Sequence, residues 1–148
     1  MALPPLPDSA IVIATRVDDW REAVHVAGAA LVASGAALEG YGDEMERMID
    51  EHGPYVVIAP GLALAHARPG DSVVRDGLAV VTLAEPVPFG HPHNDPVSVV
   101  LGLALPTVGA HLESVADLAN VFNDETVIPA LAAATTSDEI RRLMGVPA

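Results

Sequence analysis

Residues 96–105 read PVSVVLGLAL, a run of mainly apolar residues that predicts the central strand of a β-sheet. A strand covered on both faces is apolar nearly throughout, whereas a strand with one solvated face alternates apolar and polar residues. Three shorter runs are rich in apolar and β-branched residues and lie near turn residues: AIVIA at 10–14, YVVIA at 55–59 and GLAVVTL at 77–83. The chain is therefore predicted to enclose a group of buried strands.

Helical periodicity around these strands predicts five helices. Asp18 or Asp19 is placed to cap the first helix and Gly35 to end it, while Thr136 and Glu139 form a capping box at the last. The five segments lie at residues 20–31, 41–52, 112–122, 127–134 and 137–144. Because helices flank a central group of strands, we predict an α/β fold: a three-layer sandwich with a mixed β-sheet between two helical layers.

The length of 148 residues is typical of one domain, so we predict a single domain over residues 1–148. Its first nine residues are rich in proline and are expected to be extended. The longest apolar run, residues 97–110, is shorter than the ~20 residues of a membrane-spanning helix and is interrupted by polar residues and proline. The N-terminus lacks the basic and apolar regions of a signal peptide. We therefore expect a cytoplasmic protein.

Composition argues against several classes of function. The formal net charge is −13, which opposes binding to nucleic acids and anionic membranes. The chain has no cysteine, so disulfides, thiolate nucleophiles and cysteine-based zinc sites are excluded. It also has no lysine, which excludes Schiff-base chemistry. The six histidines are then the main candidates for a nucleophile or a base.

Four of the histidines have simple structural explanations. His25 lies on the first predicted helix and His52 ends the second, where a cation interacts favourably with the helix dipole. His91 and His93 lie in the loop sequence FGHPHNDPV. The H-x-H spacing is compatible with a metal, but by itself it is a weak signal, and we predict no metal site and no cofactor.

His66 and His111 differ because each lies in or beside apolar sequence, where an unpartnered polar group is costly. His111 comes just before the apolar stripe of a predicted helix, and the backbone amides at a helix N-terminus bind anions. A single histidine in an apolar stretch is nevertheless more often a packed core residue than a reactive one. Local sequence alone therefore favours a packing role for His66.

An ordered series of motifs changes that interpretation. YVVIAPGLALAHARP at 55–69, GLAVVTLAEPVPFGH at 77–91, NDPVSVVLGLA at 94–104 and HLESVADLANVF at 111–122 follow one another along the chain. The series resembles the EIIA component of the bacterial phosphoenolpyruvate-dependent sugar phosphotransferase system, in its mannitol/fructose structural class. It is most similar to the ascorbate-type branch of that class. The resemblance covers nearly the whole chain.

This resemblance implies a phosphoryl carrier. The histidine at position 66 would accept a phosphoryl group from the phosphocarrier protein HPr and pass it to a cysteine of a separate EIIB. A membrane EIIC would release the phosphorylated sugar. His111 matches a second active-site histidine that contacts the phosphoryl group. The chemistry requires a neutral imidazole whose other ring nitrogen is held by a partner such as a backbone carbonyl.

Two positions depart from the family pattern. Ala65 stands where members often have proline, which predicts a looser approach to His66. Met48 occupies the register of an arginine that the mannitol branch carries in its second helix, and Arg47 is offset by about 100°. Arg68 is then the nearest candidate for a phosphate contact, although an exposed loop arginine explains it equally well.

Two other functions are compatible with the sequence. One is an EIIA-like regulatory module that signals through phosphorylation or protein binding without sugar transport. The other is a metal-dependent hydrolase that uses a cluster of histidines, namely His66, His91, His93 and His111. The sequence does not identify the sugar, because sugar selection in this system belongs mainly to EIIC.

Overall fold

The computed structural model describes residues 3–147, except for the side chains of residues 108 and 110–112. The strands are β1 (Ile11–Thr15), β2 (Val57–Ala59), β3 (Leu62–His66), β4 (Gly77–Val87) and β5 (Val97–Ala104). The helices are α1 (Trp20–Ala33), α2 (Tyr41–His52), α3 (Val108–Phe122), α4 (Val127–Ala133) and α5 (Ser137–Met144). All five predicted helices are therefore confirmed. No helix within the described part of the chain is both long enough and apolar enough to cross a membrane.

The five strands form one mixed sheet in the order β1-β4-β5-β3-β2. The outer strand β1 is parallel to β4, and β4 is antiparallel to β5. The central strand β5 runs parallel to β3, which forms an antiparallel hairpin with β2. Every residue of β5 except Ser98 is buried. This burial explains the nearly continuous apolar pattern of residues 96–105 and confirms the predicted central strand.

Helices cover both faces of the sheet. On one face, Gly102 of β5 approaches α1 so closely that an added Cβ atom would lie 3.3 Å from the Cβ atom of Ala27. On the opposite face, Leu64 of β3 and Leu118 of α3 line the same cavity. Leu64 and Ala65 are consecutive strand residues, so their side chains point to opposite faces. The predicted three-layer α/β sandwich is confirmed.

Strand β3 was not predicted, although it carries His66. Its sequence, LALAH, contains no β-branched residue, so local propensity gives it little strand character. Pairing with β2 on one side and β5 on the other makes it a strand. Ala65 is fully buried in this strand opposite Gly102. Ala65 therefore lies in a paired strand rather than in a loop, at the position where family members often have proline.

The helix caps follow the sequence signals. The side chain of Asp19 accepts a hydrogen bond from the backbone amide of Glu22 at 2.9 Å and caps α1. The hydroxyl of Thr136 accepts one from the amide of Glu139 at 3.2 Å and caps α5. Such caps satisfy amides that have no partner within the helix, and each contributes about 1 kcal/mol.

The N-terminal segment packs against the end of the chain. Leu3 and Leu6 are buried, and the amide of Leu6 donates to the carbonyl of Pro147 at 2.9 Å. Arg141 of α5 donates to the Leu6 carbonyl at 3.1 Å and to the carboxylate of Asp8 at 2.8 Å. Instead of remaining extended throughout, this segment forms a short 3-10 turn at Asp8–Ala10 just before β1.

Candidate functional site

His66 is the last residue of β3 and lies opposite Leu103 in the parallel ladder. Its Nδ1 atom lies 2.9 Å from the backbone carbonyl oxygen of Leu64, two residues earlier. A carbonyl oxygen only accepts hydrogen bonds, so Nδ1 must carry the proton and donate. In a neutral imidazole the other ring nitrogen then holds the lone pair. The geometry thus selects one neutral tautomer, in which Nδ1 carries the proton and Nε2 holds the lone pair.

Two cavities meet at His66. The first has a volume of about 420 Å³ and is lined by α2, by Tyr55 and by the chain that follows β3. The second has a volume of about 580 Å³ and lies between the β2–β3 hairpin and α3. His66 and Tyr55 line both. The residues of the first cavity are Met48, His52, Tyr55, His66, Ala67, Arg68 and Pro69. His66 is therefore accessible from a side that Arg68 lines and from the side of α3.

Tyr55 separates two imidazoles in this region. Its ring centroid lies 5.7 Å from that of His66 and 6.2 Å from that of His52, and both pairs are edge-to-face. Burial raises the pKa of the Tyr55 phenol, and the nearby charge of Arg68 partly opposes the rise. The phenol is consequently neutral at physiological pH. Tyr55 packs against the His66 ring and restricts its orientation.

His52 and Tyr55 are site residues that sequence reasoning missed. His52 was interpreted as a helix-end residue, which it is, but it also lines the first cavity. The available signal was its spacing, because Met48 and His52 are one helical turn apart and share a face of α2. Tyr55 gave no such signal, since its proximity to His66 depends on the hairpin between β2 and β3.

Of the two arginines near His66, Arg68 lines its cavity and Arg47 does not. Arg68 is exposed and lines the first cavity. Arg47 lines an adjoining groove together with Arg68, Glu44 and Glu51, but it does not line the cavity that contains His66. The helical offset that places Met48 toward His66 therefore turns Arg47 toward the neighbouring groove.

His111 lies in the first turn of α3, which begins four residues after β5 ends at Ala104. The chain leaves β5 at the end of the sheet where Leu103 pairs with His66. The backbone of His111 thus returns to the same end of the sheet as His66. The side chain of His111 lies outside the described residues.

The loop that contains His91 and His93 is held by its own hydrogen bonds. The Nδ1 atom of His91 accepts from the amides of His93 and Asn94 at 3.1 and 3.0 Å. The carboxylate of Asp95 accepts from three amides, those of Phe89, Gly90 and His91, at 2.7 to 3.0 Å. Asp95 thus ties the start of the loop to its end, just before Pro96.

This loop lies at the opposite end of β3 from His66. The Asn94 carbonyl accepts from the amide of Gly61 just before β3, whereas His66 ends that strand. The register from Leu62 to His66 spans four residues, or about 13 Å at ~3.3 Å per residue. A metal-dependent hydrolase would require His91 and His93 to lie beside His66. The fold does not bring them there. Among the described side chains, no three His, Cys, Asp or Glu are grouped to hold a metal ion.

His25 belongs to a separate polar cluster between α1 and α2. Its Nε2 atom lies 3.1 Å from a carboxylate oxygen of Glu46 and 3.5 Å from one of Asp43. The neighbouring Arg21 forms a bidentate pair with Asp50, with both distances at 2.7 Å. These pairs are exposed, so each typically contributes only ~0–1 kcal/mol to stability.

Comparison with known proteins agrees with the geometry. The family model described as "Phosphoenolpyruvate-dependent sugar phosphotransferase system, EIIA 2" matches residues 5–145. The ascorbate-specific PTS system EIIA component of Shigella boydii serotype 4 (strain Sb227) is 33% identical over 138 residues, which cover 93% of this chain and 90% of that protein.

Two solved structures are similar along nearly their whole length. The PTS IIA protein PtxA of Streptococcus mutans superposes with a TM-score of 0.86 at 29% identity, covering 96% of this chain and 94% of that chain. The IIA mannitol protein of Escherichia coli, solved in complex with phosphorylated enzyme IIB mannitol, superposes with a TM-score of 0.83 at 25% identity. That match covers 94% of this chain and 96% of the other.

Proposed function

Because the chain belongs to the EIIA 2 family of the phosphoenolpyruvate-dependent sugar phosphotransferase system, we propose that His66 is the residue that carries its phosphoryl group. As a member of this family, the chain is a phosphoryl carrier and a component of a phosphotransferase. The observation that carries the assignment of His66 is the hydrogen bond from its Nδ1–H to the carbonyl of Leu64. This bond leaves the lone pair on Nε2, which is the state that a histidine nucleophile needs.

The transfer step proceeds by attack of Nε2 on the phosphorus atom of a phosphohistidine donor. The N–P bond of the donor breaks as the new N–P bond forms, and the donor imidazole recovers its electron pair. Positive charge develops on the His66 ring during attack, and the Leu64 carbonyl stabilises it through the Nδ1 proton. The protein otherwise contributes positioning and charge stabilisation, which dominate phosphoryl transfer.

We assign stabilisation of the phosphoryl oxygens to Arg68 and His111. Arg68 lines the first cavity beside His66, where its guanidinium group can form charge-assisted hydrogen bonds with a phosphate. His111 is proposed from the family resemblance, supported by the position of its backbone in the first turn of α3. We predict that no metal or other cofactor is needed.

We propose that phospho-HPr is the donor and that the cysteine of a separate EIIB is the acceptor. The complex of the mannitol relative with phosphorylated IIB supports an EIIB partner. The second cavity, between the β2–β3 hairpin and α3, supports a docking surface, because three large apolar residues that line it are exposed: Tyr55 at 41%, Ile58 at 50% and Val115 at 38%. The net charge of −13 favours partners with basic surfaces. We place the protein in the cytoplasm, where such carriers act.

The relatives favour transport over the regulatory alternative. The Shigella relative is named for ascorbate, so we propose that this chain serves a sugar acid of the ascorbate type. A regulatory module would accept a phosphoryl group but would not transfer it to an EIIB. This difference separates the two functions experimentally.

The direct test is to map the phosphoryl group. Incubation with phosphoenolpyruvate, the first enzyme of the system and HPr is expected to add one acid-labile phosphoryl group per chain. Phosphorus NMR and peptide mapping should place it on Nε2 of His66, because Nδ1 is engaged by Leu64. Addition of the EIIB should then remove the label, whereas an EIIB variant with serine in place of its cysteine should leave it. Labelling at another residue or at Nδ1 would contradict the assignment, and labelling without onward transfer would support the regulatory alternative.

Substitution of Arg68 by glutamine tests the proposed phosphate contact. We expect phosphorylation by phospho-HPr to slow by about tenfold, since a hydrogen bond to a charged group contributes ~1.5 kcal/mol or more. The matched control is Arg47→Gln, which removes the same charge from the neighbouring groove but not from the cavity that His66 lines. Single-turnover rates at two ionic strengths provide the measurement. Equal rates for the two variants would indicate a general electrostatic effect and exclude a specific role for Arg68.

A further inference from the structure

The hydroxyl of Tyr41 connects two strands at the position of His66. Tyr41 is the first residue of α2, and its side chain is fully buried. Its hydroxyl donates to the carbonyl of Leu103 at 2.7 Å and accepts from the amide of Ala67 at 3.1 Å. Ala67 directly follows His66, and Leu103 is the register partner of His66. One phenol oxygen from a helix thus bridges β5 and the chain that leaves β3.

This oxygen lies at the last step of the β3–β5 ladder. The amide of Val99 donates to the carbonyl of Gly61, the residue before its register partner Leu62. In a parallel ladder this pattern repeats every two residues along each strand. Continued to the end of β3, the same ladder would include a bond at Leu103, whose register partner is His66. The amide of Ala67, the residue after His66, would then donate directly to the carbonyl of Leu103. These are the two groups that the Tyr41 hydroxyl bridges.

We propose that Tyr41 is a positioning residue for phosphoryl transfer: its hydroxyl, inserted between Ala67 and Leu103, separates β3 from β5 immediately after His66 and sets the direction of the His66 ring. The inference rests on the proposed function of His66. An inserted oxygen moves the Ala67 amide away from β5, so the backbone turns out of the sheet there. That turn keeps His66 at the junction of the two cavities rather than within a continuous strand.

The phenol is suited to this position because it both donates and accepts. Burial raises the pKa of Tyr41 to about 12, so the donated hydrogen persists throughout the physiological pH range. The ring also anchors the start of α2, the helix that presents Met48 and His52 to the first cavity. The same side chain therefore contacts the strand end and belongs to the helix that together line the cavity.

Substitution of Tyr41 by phenylalanine removes the bridging oxygen and leaves the ring. The ladder then either closes by a direct bond or leaves the Ala67 amide without its partner, and the His66 backbone shifts in both cases. A shift of ~1 Å in a reacting group can cost ~100-fold in rate, so we expect phosphorylation by phospho-HPr to slow by ~10- to 100-fold. Nitrogen NMR of the His66 ring should show a smaller fraction of the Nδ1–H tautomer, and the Ala67 amide should change its chemical shift and exchange rate.

The matched control is Met45→Leu, which perturbs a fully buried residue one turn further along α2 but carries no hydroxyl. It should lower the melting temperature yet leave the phosphorylation rate within about twofold of wild type. Tyr41→Phe rates that match those of Met45→Leu at equal stability, or unchanged His66 and Ala67 signals, would overturn the proposal. The NMR signals do not require phosphorylation, so they test the bridge even if the phosphoryl group proves to be carried by another residue.

Discussion

Substitution of His66 by asparagine is expected to abolish phosphoryl transfer while the protein stays folded. The asparagine amide nitrogen lies near the position of Nδ1 and can still donate to the Leu64 carbonyl. It has no counterpart of the Nε2 lone pair, so the step that forms the N–P bond cannot occur. Loss of a nucleophile typically lowers the rate by ~10⁴-fold or more. The cost in stability should be only ~1 kcal/mol, because the main hydrogen bond is retained.

The experiment uses labelled phosphoenolpyruvate with the first enzyme and HPr. The matched control is His93→Asn, the same substitution in the loop at the opposite end of β3, which should label within about twofold of wild type. Circular dichroism and thermal unfolding establish that both variants are folded. A His66→Asn protein that labels at the wild-type rate would disprove the assignment of His66. Loss of labelling in both variants would point instead to a general disturbance of the fold.

Substitution of Gly28 by alanine is expected to have the largest effect on stability among conservative changes in the helices. Gly28 lies where α1 crosses α2, and an added Cβ atom would lie 2.7 Å from the Cα atom of Gly42. Alanine gains ~1 kcal/mol in helix propensity over glycine. The clash is with backbone, however, so the helices must move apart, and overpacking of this kind typically costs ~1–3 kcal/mol. We expect a net loss of about 1 kcal/mol, or ~3 °C in melting temperature.

Gly109→Ala in α3 is the matched control, because among the described side chains its added Cβ atom would meet only the hydroxyl oxygen of Thr107, at 4.0 Å. It should be neutral or slightly stabilising, since the propensity gain is not opposed by a clash. Chemical denaturation of both variants measures the difference. We also expect Gly28→Ala to slow phosphorylation, because α2 carries Tyr41, Met48 and His52. A Gly28→Ala protein as stable as wild type would show that the two helices are not packed as closely as described.

Most of the secondary structure was predictable because its signals are local. The helices have a 3.6-residue apolar period and recognisable caps, such as Asp19 and Thr136, and β5 is apolar because both of its faces are covered. Strand β3 was missed for the opposite reason. Its alanines and leucines have little strand propensity, and only the pairing with β2 and β5 gives it that conformation.

The residues of the candidate site also fall into those that the sequence predicted and those that it did not. The family pattern pointed to His66 and His111, and Arg68 was the nearest candidate to replace the arginine that the pattern lacks here. The structure places His66 and Arg68 on one cavity. His52 was recognised only as a helix end. Tyr55 and the hydroxyl bridge of Tyr41 were not predicted, because they depend on where a helix and a hairpin meet.

By itself, the sequence determined which segments are helices, which strand is central, and which histidine the family pattern marks as the phosphoryl carrier. These features depend on short-range periodicity and on motifs read along the chain. The tertiary structure decided the tautomer of His66, its position between two cavities and its link to Tyr41. The Tyr41 hydroxyl reaches Ala67, 26 residues away, and Leu103, 62 residues away. Such contacts exist only after packing has brought α2, β3 and β5 together, because no local pattern specifies the distance between residues so far apart in the chain.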